Sequence, residues 1–370
     1  MSPGRPILGA VAATAAVVFL LAALDKSLVS IQVAEQQGAA RRSYEKGMDL
    51  MKRGLPNEAL EQFRQAQATQ RESPIYTLAL IEALTAVNKT SEADALADQI
   101  LTAAPNDGET NLITARLRMR EGRYIDAKAY FHRAIYGTWR SGAMAHERAA
   151  RLELIQMLVK EKARQELLGE LISLSAESGE DAALKGQIAK LFLVAGAPAR
   201  AVALYQELVE RDPHNAKMLE ALGEAELQNG QYRAARSSFQ QASIYDPSAA
   251  VKPRLDLLTE VTALDPTPRR LTSSEKYSRS LKILGLARDD LDARIAEAGP
   301  AIRVPQDTDE MLKQAKAELE HKAPAHVNNE MAERELDLAQ RIWRARLAMF
   351  GPSSANDEEA LRLIMERLAS

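Results

Sequence analysis

The chain has 370 residues, of which 46% are hydrophobic and 27% charged, and a formal net charge of -3. That balance can bury a core and keep a solvated surface, which excludes wholesale disorder. It carries no basic excess, so no nucleic-acid partner is expected, and zero cysteines exclude disulfides, thiolate-held metals and a thiol nucleophile. Only 5% of residues are aromatic, while Ala, Leu, Glu and Arg abound, a balance that favours helices packed through small residues over sheets.

In chain order, the first feature is an uncharged run of 18 residues from Ile7 to Leu24, preceded only by Arg5. At 1.5 Å per residue it reaches about 27 Å, close to the thickness of a hydrocarbon core. Residues 1–25 are therefore expected to form a tail and a single transmembrane helix, and 26–39 a linker. A cleaved secretory signal is the competing reading, but no small-x-small triplet closes the run. A cut after Ala23 or Ala22 would leave Leu21 or Leu20 at the upstream position. Arg5 and the α-amino group outweigh Lys26, which puts the N-terminus in the cytosol and the bulk of the chain outside it, as in a bacterial inner membrane. The Arg41–Arg42 pair argues the other way.

From residue 40 the chain repeats itself. Gly47 is followed at twelve, sixteen and nineteen residues by Ala59, Phe63 and Ala66, and Gly223 at the same intervals by Ala235, Phe239 and Ala242. The spacing recurs from Ala115 (Ala127, Phe131, Ala134), from Ala189 (Ala201, Tyr205, Leu208) and, more loosely, from Ile81 (Ala93, Ala97, Ile100). Units begin near Ala40, Pro74, Gly108, Ala182 and Ala216, in steps of 34. A longer fourth unit fills Gly142 to Gly179, with Ala163 and Leu167 at the second-helix spacing.

This pattern resembles the tetratricopeptide-repeat family, whose 34-residue unit is a helix–turn–helix. The resemblance covers about residues 40–250 and implies an all-α fold, an α-α superhelix of about six repeats. With a capping helix from Ala249 to Leu264, the array occupies 40–264. Gly47, Ala115, Ala189 and Gly223 are expected where paired helices come closest, and Phe63, Phe131, Tyr205 and Phe239 in the space towards the next repeat. Gly54, Gly122, Gly196 and Gly230 mark the turn inside each unit, and Pro105, Pro213 and Pro247 stop the second helix.

Residues 265–370 read as a further helical region. Thr272 with Glu275 opens a helix to about Gly299 as a capping box; Asp307 with Glu310 caps a polar helix to about Lys322. Asn328 starts another to Phe350, and Asn356 with Glu359 opens the last.

The resemblance implies protein partners, peptides or helices held on the concave face lined by the first helices. The corresponding residues are Tyr44 and Met48, Leu78 and Glu82, then Leu112, Arg116 and Arg120. They do not reproduce the Lys, Asn and Arg set with which some members grip a C-terminal carboxylate. Arg116, Arg120 and Arg123 offer a local patch for an acidic partner. The five histidines form no H-E-x-x-H pattern, and no nucleophile elbow or phosphate loop is present. No catalytic residue, metal site, cofactor or small-molecule substrate is therefore expected. The chain reads as a non-enzymatic, membrane-anchored interaction scaffold. The alternatives are the targeting arm of an enzyme with chemistry in 265–370, or a self-assembling structural protein.

Overall fold

The computed structural model describes residues 5–247, 250–321, 324, 326–351 and 359–369, excepting the side chains of 5–23 and 301. Among the described residues the chain is all-α, with seventeen α-helices, one short 3-10 turn and one isolated bridge between Asp107 and Thr138. It divides into two units, 1–162 and 163–370. The first holds α1 (Arg5–Lys52), α2 (Pro56–Thr69), α3 (Pro74–Ala86), α4 (Thr90–Ala103), α5 (Gly108–Arg120), α6 (Tyr124–Ile135) and α7 (Ala143–Lys160). The second begins with α8 (Arg164–Glu177), α9 (Ala182–Val194), α10 (Pro198–Arg211), α11 (Ala216–Gln228), α12 (Tyr232–Tyr245) and α13 (Lys252–Leu264). It ends with α14 (Ser273–Ala298), α15 (Gln306–Glu320), α16 (Asn329–Phe350) and α17 (Glu359–Ala369).

Local chemistry sets these boundaries. Proline occupies the first turn of α2, α3 and α10, where its missing N–H costs nothing. Asp107, Asp181 and Asn215 cap α5, α9 and α11 by accepting the backbone N–H three residues on. The six first helices α1, α3, α5, α7, α9 and α11 share one ending. The residue two beyond each is left-handed: Gly54, Asn88, Gly122, Lys162, Gly196 and Gly230. The two repeats with the weakest sequence match are the two in which a side chain occupies this position.

α3, α5, α9 and α11 begin at the residues the 34-residue phase gives. The fourth pair differs. α6 is two residues shorter than the other second helices, the connection after it is three longer, and α7 is five longer than α5, which together absorb the six extra residues. Ala163 is the N-cap of α8, so the register shifts by one turn from the expected one. Leu167, Leu171 and Leu174 stand where other repeats carry Ala, an aromatic and a small residue. The longer connection folds back on the third repeat, where the Trp139 indole lies over Gly108 and donates to the Ala134 carbonyl at 3.0 Å.

The N-terminal expectations meet the structure unevenly. The stretch 26–39, expected as a linker, is helical and continuous with the first repeat, because no proline falls between Pro6 and Pro56 to break α1. Most of the apolar run lies in residues whose side chains are outside the described set. Among the described residues no helix is long and apolar enough to cross a membrane.

Within repeats, helices meet ring against backbone. A Cβ on Gly47 would stand 2.6 Å from the Phe63 ring, and one on Gly223 would stand 3.1 Å from Phe239. Ala59, Ala66, Ala93 and Ala97 are fully buried, and Ala59, Phe63, Ala93 and Ala97 share one cluster with Ile81 and Leu84 of the second repeat. The rings thus pack on their own repeat's first helix as well as towards the next.

In the second unit one apolar core runs from Leu227 and Phe239 through α13, α14 and α16 to Ile364 of α17. A domain boundary after Leu264 would cut through that core. The Thr272–Glu275 capping box is present, and Asn328 caps α16. Pro305, not Asp307, precedes α15 as its cap, since the fixed proline φ already suits a helix start. Asn356 lies outside the described residues. Arg346, its side chain 1% exposed, pairs with Asp290 at 2.8 Å, donates to the Gly351 carbonyl at 2.6 Å and lies over the Trp343 ring. The Arg346–Asp290 pair ties α16 to α14, and Asp290 also accepts from Arg294 one turn on in α14 at 2.8 Å.

Urea denaturation checks three consequences. Gly47→Ala is expected to cost about 1–3 kcal/mol through overpacking, although alanine is the better helix former. Lys162→Gly is expected to stabilise by about 1 kcal/mol, relieving a left-handed side-chain residue. Asp290→Ala is expected to cost about 3–5 kcal/mol, because it leaves Arg346 charged and buried.

Candidate protein-interaction site

The first helices of the first unit stand side by side, α1 against α3 and α3 against α5. The 34-residue step aligns Tyr44 with Leu78 and Leu112, and Met48 with Glu82 and Arg116. The first of these rows divides by depth. Leu78 and Leu112 are 3% and 6% exposed, so they belong to the core and offer little to a partner. Tyr44 and Met48 are half-buried, with Tyr44 set 6.0 Å from the Phe63 ring centre and 5.4 Å from that of Tyr76. A shallow aromatic step, Tyr44 with Tyr76, is thus presented at the N-terminal end.

The second row is an ion ladder. The Arg116 guanidinium donates Nε and Nη2 to the two carboxylate oxygens of Glu153 on α7, at 2.8 and 2.6 Å. Its Nη1 lies 3.5 Å from Glu82 on α3. One arginine therefore ties three first helices through a planar fork, a geometry lysine could not supply. Burial pushes the Glu82 carboxyl above its ordinary range; Arg116 opposes this, and Glu109 and Glu153 add to it. Burial also raises the Tyr44 hydroxyl, helped by Glu109 and Glu82. The face thus holds Glu82 and Glu153 on the Arg116 guanidinium, with Glu109 acting on Glu82 and lying 3.9 Å from Arg140.

Arg120 is exposed, but its Nη1 donates to the Thr85 carbonyl at 2.5 Å, at the end of α3, where that carbonyl also accepts the Asn88 N–H at 3.3 Å. Arg123 pairs with Asp126 at 2.7 Å. The arginine patch expected for an acidic partner is thereby answered from within the chain. Of the seven expected contact residues, Tyr44, Met48, Glu82 and Arg116 share the open face, Leu78 and Leu112 lie beneath it, and Arg120 serves the backbone. Tyr76, Glu109 and Glu153 were not anticipated. Glu153 lies 37 residues after Arg116, out of phase, because α7 belongs to the lengthened repeat.

No curated protein matches the chain. Among solved structures, PilW, a type IV pilus biogenesis factor, is 17% identical over 60% of this chain and 98% of its own, with a TM-score of 0.37. A tetratricopeptide repeat protein from Parabacteroides merdae is 12% identical over 82% and 99%, with a TM-score of 0.37. The TPR2AB domain of yeast Sti1, in a complex with pHSP90, is 15% identical over 83% and 98%, with a TM-score of 0.28. Residues 44–108 and 187–250 match the tetratricopeptide-repeat family model. These two segments are therefore similar to tetratricopeptide repeats, and the left-handed turn after each first helix and the small-residue and ring spacing within them are of the same kind.

Proposed function

We propose that the chain is a non-enzymatic scaffold that holds a protein segment on the first-helix face of its first unit. The observation that carries this reading is the half-buried step of Tyr44, Met48 and Tyr76 next to the carboxylates Glu82, Glu109 and Glu153. Such a surface suits a segment that combines an apolar or aromatic anchor with Lys or Arg. The Arg116 ladder fixes the relative positions of the helices that carry this face, so the site is organised before a partner arrives.

In this proposal the N-terminal run tethers the scaffold to a membrane, with the N-terminus in the cytosol and the repeats beyond the bilayer. The 18 uncharged residues and the placement of Arg5 support it. The uninterrupted α1 would then join the tether to the first repeat without a flexible joint.

Fractionation and crosslinking test the two parts separately. The full chain is expected to stay with membranes through alkaline carbonate, and a chain starting at residue 40 to be soluble; a full chain released by carbonate would overturn the tether. A photo-crosslinker at Glu109 is expected to capture a discrete protein that one at Gly169 does not, and equal labelling from both would overturn the face.

The ladder itself has a pH signature. Arg116→Ala is expected to cost about 1 kcal/mol at neutral pH, the scale of a half-exposed forked pair. A carboxyl raised by folding contributes stability present below its unfolded range and lost as the pH climbs through its folded value. Removing Arg116 raises Glu82 further, so the gap between variant and parent is expected to shrink as the pH falls through the glutamate range. A constant gap in thermal scans from acid to neutral pH would contradict the ladder.

A further inference from the structure

A second polar cleft, of about 440 Å³, lies in the second unit between α12, α13, the connection before α14 and α14 itself. Its walls carry four arginines, Arg233, Arg236, Arg270 and Arg279, and no acidic residue. Arg233 and Arg270 are exposed at the rim, and Arg236 and Arg279 are half-buried deeper in. Arg279 is held in place by donating one guanidinium nitrogen to the Thr262 and Asp265 carbonyls, at 3.0 and 2.7 Å.

The neighbouring carboxylates are committed elsewhere. Glu275 closes the capping box with Thr272 at 2.7 Å, and Asp265 accepts from Arg367 at 2.9 Å and from Thr267. Arg233, Arg236 and Arg270 have no ion-pair partner among the described residues. The chain as a whole is acidic, so four guanidinium groups lining one cleft constitute a local potential that selects anions.

We infer that this cleft docks an acidic peptide segment, with carboxylates two or more apart along an extended strand. The charges come from three elements, α12, the connection before α14 and α14, which favours several carboxylates over a single phosphate. Ala263 and Leu271 supply apolar wall for side chains between the carboxylates, and the Gln240 amide can bond a peptide backbone. No aromatic ring lines the cleft for base stacking, which disfavours single-stranded nucleic acid. The cleft rests against α12, a second helix of its repeat, and so is separate from the first-helix face proposed above.

Fluorescence anisotropy on the purified full chain tests this with a labelled peptide of alternating Glu and Leu. Binding that weakens with added salt is expected, together with none for the matching Gln–Leu peptide. The double variant R233E/R270E is expected to lose at least about tenfold in affinity while keeping its helix content and unfolding midpoint. Should the double variant unfold, R270Q alone, on an exposed connection, is expected to lose about threefold. Unchanged affinity in these variants would overturn the assignment, as would equal binding of the Gln–Leu peptide. Displacement by inorganic phosphate at matched ionic strength, or tighter binding of an oligothymidylate, would also overturn it.

Discussion

The contact on which the structure depends is a ring laid on a helix backbone where the opposing residue has little or no side chain. Phe63 over Gly47 and Phe239 over Gly223 are its instances within a single helix pair. A helix pair joined in this way still leaves one side apolar, and the next pair covers it, so buried Ala and aromatic positions recur with the repeat. Where the third repeat carries Ala115 in this position, Trp139 from the following connection closes the helix end at Gly108. The fourth repeat carries three buried leucines, Leu167, Leu171 and Leu174, in place of the small residues and ring.

That same stacking brings the first helices close enough for side chains to pair across them. Arg116 spans α3 to α7 because successive first helices repeat on one side of the stack, and the charge excess around it is acidic. The proposed partner face is therefore a product of repeat geometry, with its apolar part at Tyr44 and Tyr76 and its charged part at the ladder. In the second unit the stack ends differently. α13 to α17 share one core with the last repeat, and the buried Asp290–Arg346 pair joins two of these helices. The C-terminal helices therefore close the open apolar end that a repeat array otherwise leaves to solvent.

Much of this fold was legible in residue spacing. The starts of α3, α5, α9 and α11, the turn glycines and the Thr272 capping box follow from local chemistry that acts within a few residues. The one-turn shift at Ala163 was not legible, because Ala163–Leu167 and Leu167–Leu171 satisfy the same four-residue spacing. Nor did the helical course of 26–39 stand out, since polar residues such as Gln36 and Gln37 suit a linker or an exposed helix equally. The interaction face was half legible. Phase put Glu82 and Arg116 in one row, but whether a charge is free or already paired depends on partners from other helices. Glu153, which takes two of Arg116's donors, sits out of phase by three residues.

A double-mutant cycle on Gly47→Ala and Phe63→Leu in the first unit measures the founding contact most directly. If the ring on the backbone sets the helix spacing, the smaller leucine relieves the added methyl, and the two changes together are expected to cost at least about 1 kcal/mol less than their sum. Additivity within about 0.5 kcal/mol would mean that the two residues do not govern one another, and would contradict the packing on which the repeats and their face are built.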